Sequence, residues 1–207
     1  MTDASHSSSQ QRVVLASGNA GKLREFQTLL TDVGFEVVPQ SEFQVPDADE
    51  TGLSFVENAI LKARHACQLT GLPAIADDSG LEVDALQGKP GIYSSRFAGV
   101  EGADKDAANN QKLLNSLEGL AQAERTARFQ CVLVYMRHAE DPTPIICQGS
   151  WEGLILHQAA GSGGFGYDPL FYVPEKDCAS AELDKAEKNA ISHRGKAMQQ
   201  LLEKLQS

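Results

Sequence analysis

The stretch PAIADDSGLEVDAL, Pro73 to Leu86, sets two adjacent carboxylates, Asp77 and Asp78, directly behind a short apolar run. A serine and a glycine follow before the chain turns apolar again. Asp, Ser and Gly are turn formers. One reading therefore makes PAIA and LEVDAL two short strands that flank a solvated Asp-Asp-Ser-Gly turn. The other reading is a site, because carboxylates are clustered where a divalent cation is held or a water is activated. The stretch alone leaves both open.

Outward from this stretch the pattern alternates between strands and helices. RVVLAS (Arg12 to Ser17) is β-branched and apolar and predicts a first strand. In AGKLREFQTLLTDVG, Leu23, Phe26, Leu29 and Leu30 recur at helical spacing, and Gly34 is the expected C-cap. FEVVP predicts a second strand ended by Pro39. After a polar, acidic loop, Ser54 and Glu57 have capping-box spacing at the head of a helix that Gly71 stops. A helix is expected over Ala103–Gly119, then two long neighbouring strands, ARFQCVLVYMRH and PIICQGSWEGLILH, then a Gly-rich loop. A last helix begins after Ser192. The βα units with a long hairpin predict an α/β fold with a mixed sheet.

Composition narrows the function classes. The 207 residues suit one domain, and a formal net charge of -10 argues against a broad basic footprint for nucleic acid. Local Lys and Arg can still bind a small anion. Cys67, Cys131, Cys147 and Cys178 form neither a zinc pattern nor a disulfide framework. The Ser-rich leader lacks a secretory apolar core, and no apolar run reaches membrane length. We expect residues 1–11 to be a disordered tail, residues 12–207 to be a single domain, and the compartment to be the cytoplasm.

Four constellations carry chemistry. SGNAGK, Ser17 to Lys22, lies at a strand-to-helix junction where backbone N–H groups and the helix dipole favour an anion. Its spacing is not that of the Walker loop, and an ordinary βα turn has the same composition. GSGGFGYDP, Gly161 to Pro169, matches G-x-G-x-x-G literally. The match is rejected because Pro169 and β-type residues follow where a helix is required. What remains is a flexible loop whose aromatics either stack on a base or join the core. EKNAISHRGK, Glu187 to Lys196, concentrates Lys188, His193, Arg194 and Lys196 in an acidic chain, as a solvated basic face or as an anion clamp at a helix N-terminus. The acids Glu50, Glu57, Asp77 and Asp78 complete the set, with Glu50 or Glu57 expected near Asp78. His65, His138 and His157 read as structural. Together the parts are those needed to hold a nucleoside triphosphate with Mg²⁺ and attack one phosphate.

The ordered motifs SGNAGK, ETGLSFVENA, ADDSGLEVDAL, PGIYSSRFAG, GGFGYDPLF and EKNAISHR resemble the inosine triphosphate pyrophosphatase family, especially its bacterial dITP/XTP pyrophosphatase branch. The likeness runs from Arg12 to Leu205. It implies a homodimeric α/β fold with a long twisted mixed sheet flanked by helices, in two lobes around a nucleotide-binding cleft. It also implies Mg²⁺-dependent hydrolysis of dITP, ITP and XTP to the monophosphate and pyrophosphate, without nucleic acid or membrane as partner. Carried over by position, Ser17, Gly18, Asn19, Ala20, Gly21 and Lys22 would grip the triphosphate. Asp78 would ligate the metal and act as general base, with Glu50 a second acidic ligand. Ser79, Lys188, His193 and Arg194 would contact substrate. Phe165, Gly166, Tyr167 and Asp168 would pack against and read the base. Asp77 beside Asp78 is expected to raise the proton affinity of one carboxylate. A nucleotide sensor without turnover and a monoester phosphatase are the competing readings.

Overall fold

The computed structural model describes residues 10–206. The tail expected over residues 1–11 lies outside the described residues through position 9. Gln11 already forms the first rung of strand β1 (Gln11–Leu15), opposite Phe35 of β2 (Phe35–Pro39). The two strands are parallel, joined by helix α1 (Ala20–Thr31), which lies against β2. Gly34 takes the left-handed turn (φ +87°), and its N–H donates to Thr31 O at 3.1 Å.

Helix α2 (Phe55–Thr70) has both of the ends read from its sequence. Ser54 Oγ accepts from Glu57 N–H at 3.4 Å, and the Glu57 carboxylate accepts from Ser54 Oγ at 2.6 Å and Leu53 N–H at 3.0 Å. Gly71, at φ +69°, closes the helix onto Cys67 O. The hydroxyl of Ser54, then the N–H of Leu53, hold the Glu57 carboxyl below its ordinary value. Glu57 thus serves in the N-terminal cap of α2 through its Oε2.

The expected Asp-Asp-Ser-Gly turn is corrected. Ala74–Val83 forms one unbroken strand, β3, with Asp77 and Asp78 in its middle. Turn propensity is a local preference, and here the sheet overrides it. β3 lies between β1, with which it runs parallel through Leu15 opposite Ile75, and β4 (Thr126–Met136). β5 (Ile145–Ile155) is next to β4 as expected, and β6 (Phe171–Val173) and β7 (Cys178–Ala179) extend the sheet antiparallel. The seven-stranded order is β2-β1-β3-β4-β5-β6-β7, a mixed sheet flanked by helices. α3 (Lys105–Ser116) falls within the predicted helix. The basic segment holds two helices rather than one, α4 (Lys185–Ile191) and α5 (His193–Gln206). Ser192 ends α4, and its Oγ accepts Gly195 N–H at 3.2 Å in the first turn of α5.

The chain divides into two compact units. One takes the chain through Asp77, Leu133–Cys147 and everything from Gln199, and the other takes Asp78–Val132 and Gln148–Met198. The first buries Val13, Val14, Leu15, Phe26, Leu30 and Ile75. The second is centred on Phe129, Trp151 and Phe171, whose rings lie 4.6–6.4 Å apart, with Leu81, Leu113 and Tyr167 around them. Among the described residues no helix is long and apolar enough to cross a membrane.

The first turn of α5 is seated on β5 at Gly149, where a Cβ would run into the His193 carbonyl and come within 2.9 Å of Ala197 N. Gly149→Ala should therefore cost about 1–3 kcal/mol, the usual range for overpacking. A urea midpoint equal to that of the parent chain would contradict this seating.

Candidate active site

Lys22 is engaged in an ion pair within the fold. Its Nζ donates to both oxygens of Asp77, at 2.8 and 2.7 Å, and the Asp77 side chain is 1% exposed against 20% for Lys22. Asp77 is thus a buried counterion that ties the first turn of α1 to the middle of β3. This alters the expected coupling between the two aspartates. The charge of Asp77 is offset by Lys22, and neighbouring side chains on a strand leave on opposite sides. Asp78 is the partly exposed member of the pair.

The SGNAGK turn is also partly self-satisfied. Asn19 is the N-cap of α1, and its Oδ1 accepts from Gly21 N–H at 2.8 Å and Lys22 N–H at 3.1 Å. Asn19 N–H donates to Ser17 Oγ at 3.2 Å. Two of the N–H groups expected to face an anion are therefore capped, which leaves the amide nitrogen of Asn19 as its donor. Gly18, Asn19 and Gly21 are exposed.

Glu50 forms an ion pair with Lys62 at 2.9 Å. Lys62 was missed by the sequence reading, although a signal was present. It shares a helical stripe with Ala59, Ala63 and Ala66, all fully buried, and a lysine in such a stripe wants an acidic partner.

In the second unit, Arg194 Nη2 lies 3.4 Å from Ser79 Oγ. The His193 ring stacks on Phe129, with centroids 4.9 Å apart and planes at 16°, so its orientation is set by the aromatic core. No helix follows the Gly-rich loop, as expected. The loop's two aromatics part company: Phe165 is 62% exposed, whereas Tyr167 is buried and donates its hydroxyl to Ser94 O at 2.8 Å. Burial, and after it the Asp106 charge, raises the Tyr167 hydroxyl above the ordinary phenol value. Tyr167 thus joins the core.

The Asp168 carboxylate, 5% exposed, accepts from three groups: Lys188 Nζ at 2.5 Å, Phe165 N–H at 2.8 Å and Ser180 Oγ at 2.9 Å. A buried carboxylate so engaged acts as a buckle that closes the loop on itself. Gly164 passes so close to this carboxylate that a Cβ would collide with it. Lys188 Nζ also sits 5.5 Å from the Phe165 ring centroid, a cation–π distance. Ser180 gave no signal in the sequence.

A family model described as the Ham1 family matches residues 13–204. A Vibrio parahaemolyticus protein named dITP/XTP pyrophosphatase is 62% identical over 195 residues, covering 94% of this chain and 96% of its own. One of the same name from Pectobacterium atrosepticum is 60% identical over 197 residues, covering 95% and 99%. Among solved structures, a HAM1 protein from Coxiella burnetii has a TM-score of 0.90 at 53% identity, over 94% of this chain and 98% of that one.

Removing one partner of a buried ion pair leaves the other uncompensated, whereas an apolar pair of similar volume is often neutral. Lys22→Met alone should therefore cost roughly 3–5 kcal/mol in chemical denaturation, and Lys22→Met with Asp77→Leu should recover most of it. Simple addition of the two single-variant losses would refute the pairing.

Proposed function

The chain belongs to the Ham1 family and is a nucleoside-triphosphate pyrophosphatase; we propose that it cleaves the non-canonical purine nucleotides dITP, ITP and XTP to monophosphate and pyrophosphate. The observation that carries the choice of working residue is the fate of the aspartate pair. Asp77 is committed to Lys22, while Asp78 is partly open to solvent one residue further along β3. Asp78 is the general base. It accepts a proton from water as the water oxygen bonds to the α-phosphorus and the bond to the bridging oxygen breaks, its electron pair leaving with pyrophosphate.

Among the described residues no three His, Cys, Asp or Glu side chains cluster as a metal cage. Mg²⁺ keeps several waters and takes one or two carboxylates together with substrate phosphates. Asp78 and Glu50 supply hard oxygens of this kind and would hold it. When bound, it neutralises charge on the leaving group.

Ser17, Gly18, Asn19, Ala20, Gly21 and Lys22 grip the triphosphate. An ammonium has three N–H donors, so Lys22 can stay on Asp77 and still offer one to phosphate. Ser79, His193 and Arg194 add contacts to the anion, and Arg194 contributes the charge that steadies the departing pyrophosphate. Phe165 stacks on the base, and Lys188 and Asp168 fix that ring. A donor aimed at the 6-oxo group of hypoxanthine or xanthine is left facing an amino group when adenine enters, an unpaired contact that rejects it. The family resemblance further suggests a cytoplasmic homodimer that clears such nucleotides before they reach DNA and RNA.

The test is hydrolysis of dITP, ITP, XTP and ATP with Mg²⁺ in heavy-oxygen water. We expect equal amounts of monophosphate and pyrophosphate, with the label on the monophosphate and ATP a poor substrate. Orthophosphate release, label in pyrophosphate, or binding without turnover would each contradict the reading.

A further inference from the structure

Helix α3 has no part in the roles assigned above, yet it grips one residue of the Gly-rich loop from both sides. Gly166 N–H donates to Asp106 Oδ2 at 2.8 Å, and Asn110 Nδ2 donates to the Gly166 carbonyl at 2.8 Å. Asp106 and Asn110 are four residues apart and so share one face of α3. Gly166 has φ +62°, a conformation that is cheap only for glycine. The same helix also holds the segment beneath the loop. Asn109 Oδ1 accepts from Ala98 N–H at 2.7 Å, and its Nδ2 donates to Ser94 O and Ser95 O at 3.3 Å. Ser94 O is the acceptor for Tyr167, and Ser94 Oγ accepts from Leu81 N–H of β3 at 2.8 Å.

We propose that Asp106 and Asn110 are positioning residues that set purine specificity by locking the Gly166 backbone. The inference rests on the reading of Phe165–Asp168 as the base-holding loop. With both polar groups of Gly166 engaged by α3, this glycine is a fixed pivot, from which exposed Phe165 and buried Tyr167 diverge. The contact buries no side chain of Gly166, so apolar packing does not account for it. What it supplies is orientation: an acceptor and a donor one turn apart match the donor and acceptor of a single residue. Discrimination between a 6-oxo and a 6-amino purine needs the wrong group to stay unpaired, which requires a loop that cannot rotate to accommodate it.

The experiment compares kcat and KM for ITP and ATP, with thermal midpoints, in Asp106→Ala, Asn110→Ala, Asp106→Asn and Phe165→Ala. Both α3 alanine variants should raise KM for ITP and narrow the ITP-to-ATP ratio of kcat/KM by about tenfold, the scale of one lost hydrogen bond in a buried setting. Asp106→Asn keeps an acceptor oxygen and should restore most of the ratio. A parental ratio in both alanine variants overturns the proposal, as does a loss of kcat shared equally by the two substrates. Should Asp106→Ala fail to fold, Asn110→Ala, which removes only the donor to the Gly166 carbonyl, decides by the same ratio. Parental behaviour in Phe165→Ala would sink the base-loop reading itself. An altered Phe165→Ala beside parental α3 variants would sink this inference alone.

Discussion

The ion pair between Lys22 and Asp77 is the constraint on which the functional account depends. Two aspartates in succession would be a liability on a strand flanked on both sides by other strands, and the chain resolves it by giving the two different environments. One carboxylate is buried and neutralised by a lysine from the first turn of α1. The other remains partly exposed. Desolvating both partners offsets much of the Coulombic gain, so the pair is weak evidence for net stability. Its value is register: it fixes where the helix N-terminus meets the strand, and therefore where the SGNAGK backbone points.

A second theme is that polar residues in this chain hold other polar residues in place. Asp168 gathers Lys188, Ser180 and the Phe165 N–H, and so anchors the backbone beside the exposed Phe165 ring. Asn19 serves its own helix before any ligand. His193 is held flat against Phe129 by the packing of the second unit. Each arrangement reduces the number of orientations available to a side chain or peptide group before substrate arrives. Preorganisation of this kind lowers the cost of binding wherever the held group meets a ligand.

Much of this was legible in the sequence, for identifiable reasons. Period-2 and period-3.6 patterns gave β1, α1 and β2, and the caps of α2 at Ser54 and Gly71 lie where their chemistry requires. The G-x-G-x-x-G match was rightly set aside, because Pro169 precludes the helix that a dinucleotide site needs. What stayed hidden depends on contacts distant in the chain. The Asp-Asp-Ser-Gly stretch has turn composition, and only the strands beside β3 keep it extended. Lys22 and Asp77 are 55 residues apart, and Asp106 and Gly166 are 60 apart, so no local pattern announces either pairing. The helix α4 was overlooked because seven residues give too short a window for periodicity.

The division of labour between the two aspartates is tested most directly by measuring unfolding midpoint and turnover in Asp77→Asn and Asp78→Asn side by side. The account predicts that Asp78→Asn keeps its midpoint and loses roughly 10²–10⁴-fold in turnover, the range for a positioned general base. Asp77→Asn should unfold more readily while its folded fraction keeps far more activity than Asp78→Asn. The reverse pattern, with turnover lost in Asp77→Asn and kept in Asp78→Asn, would contradict it.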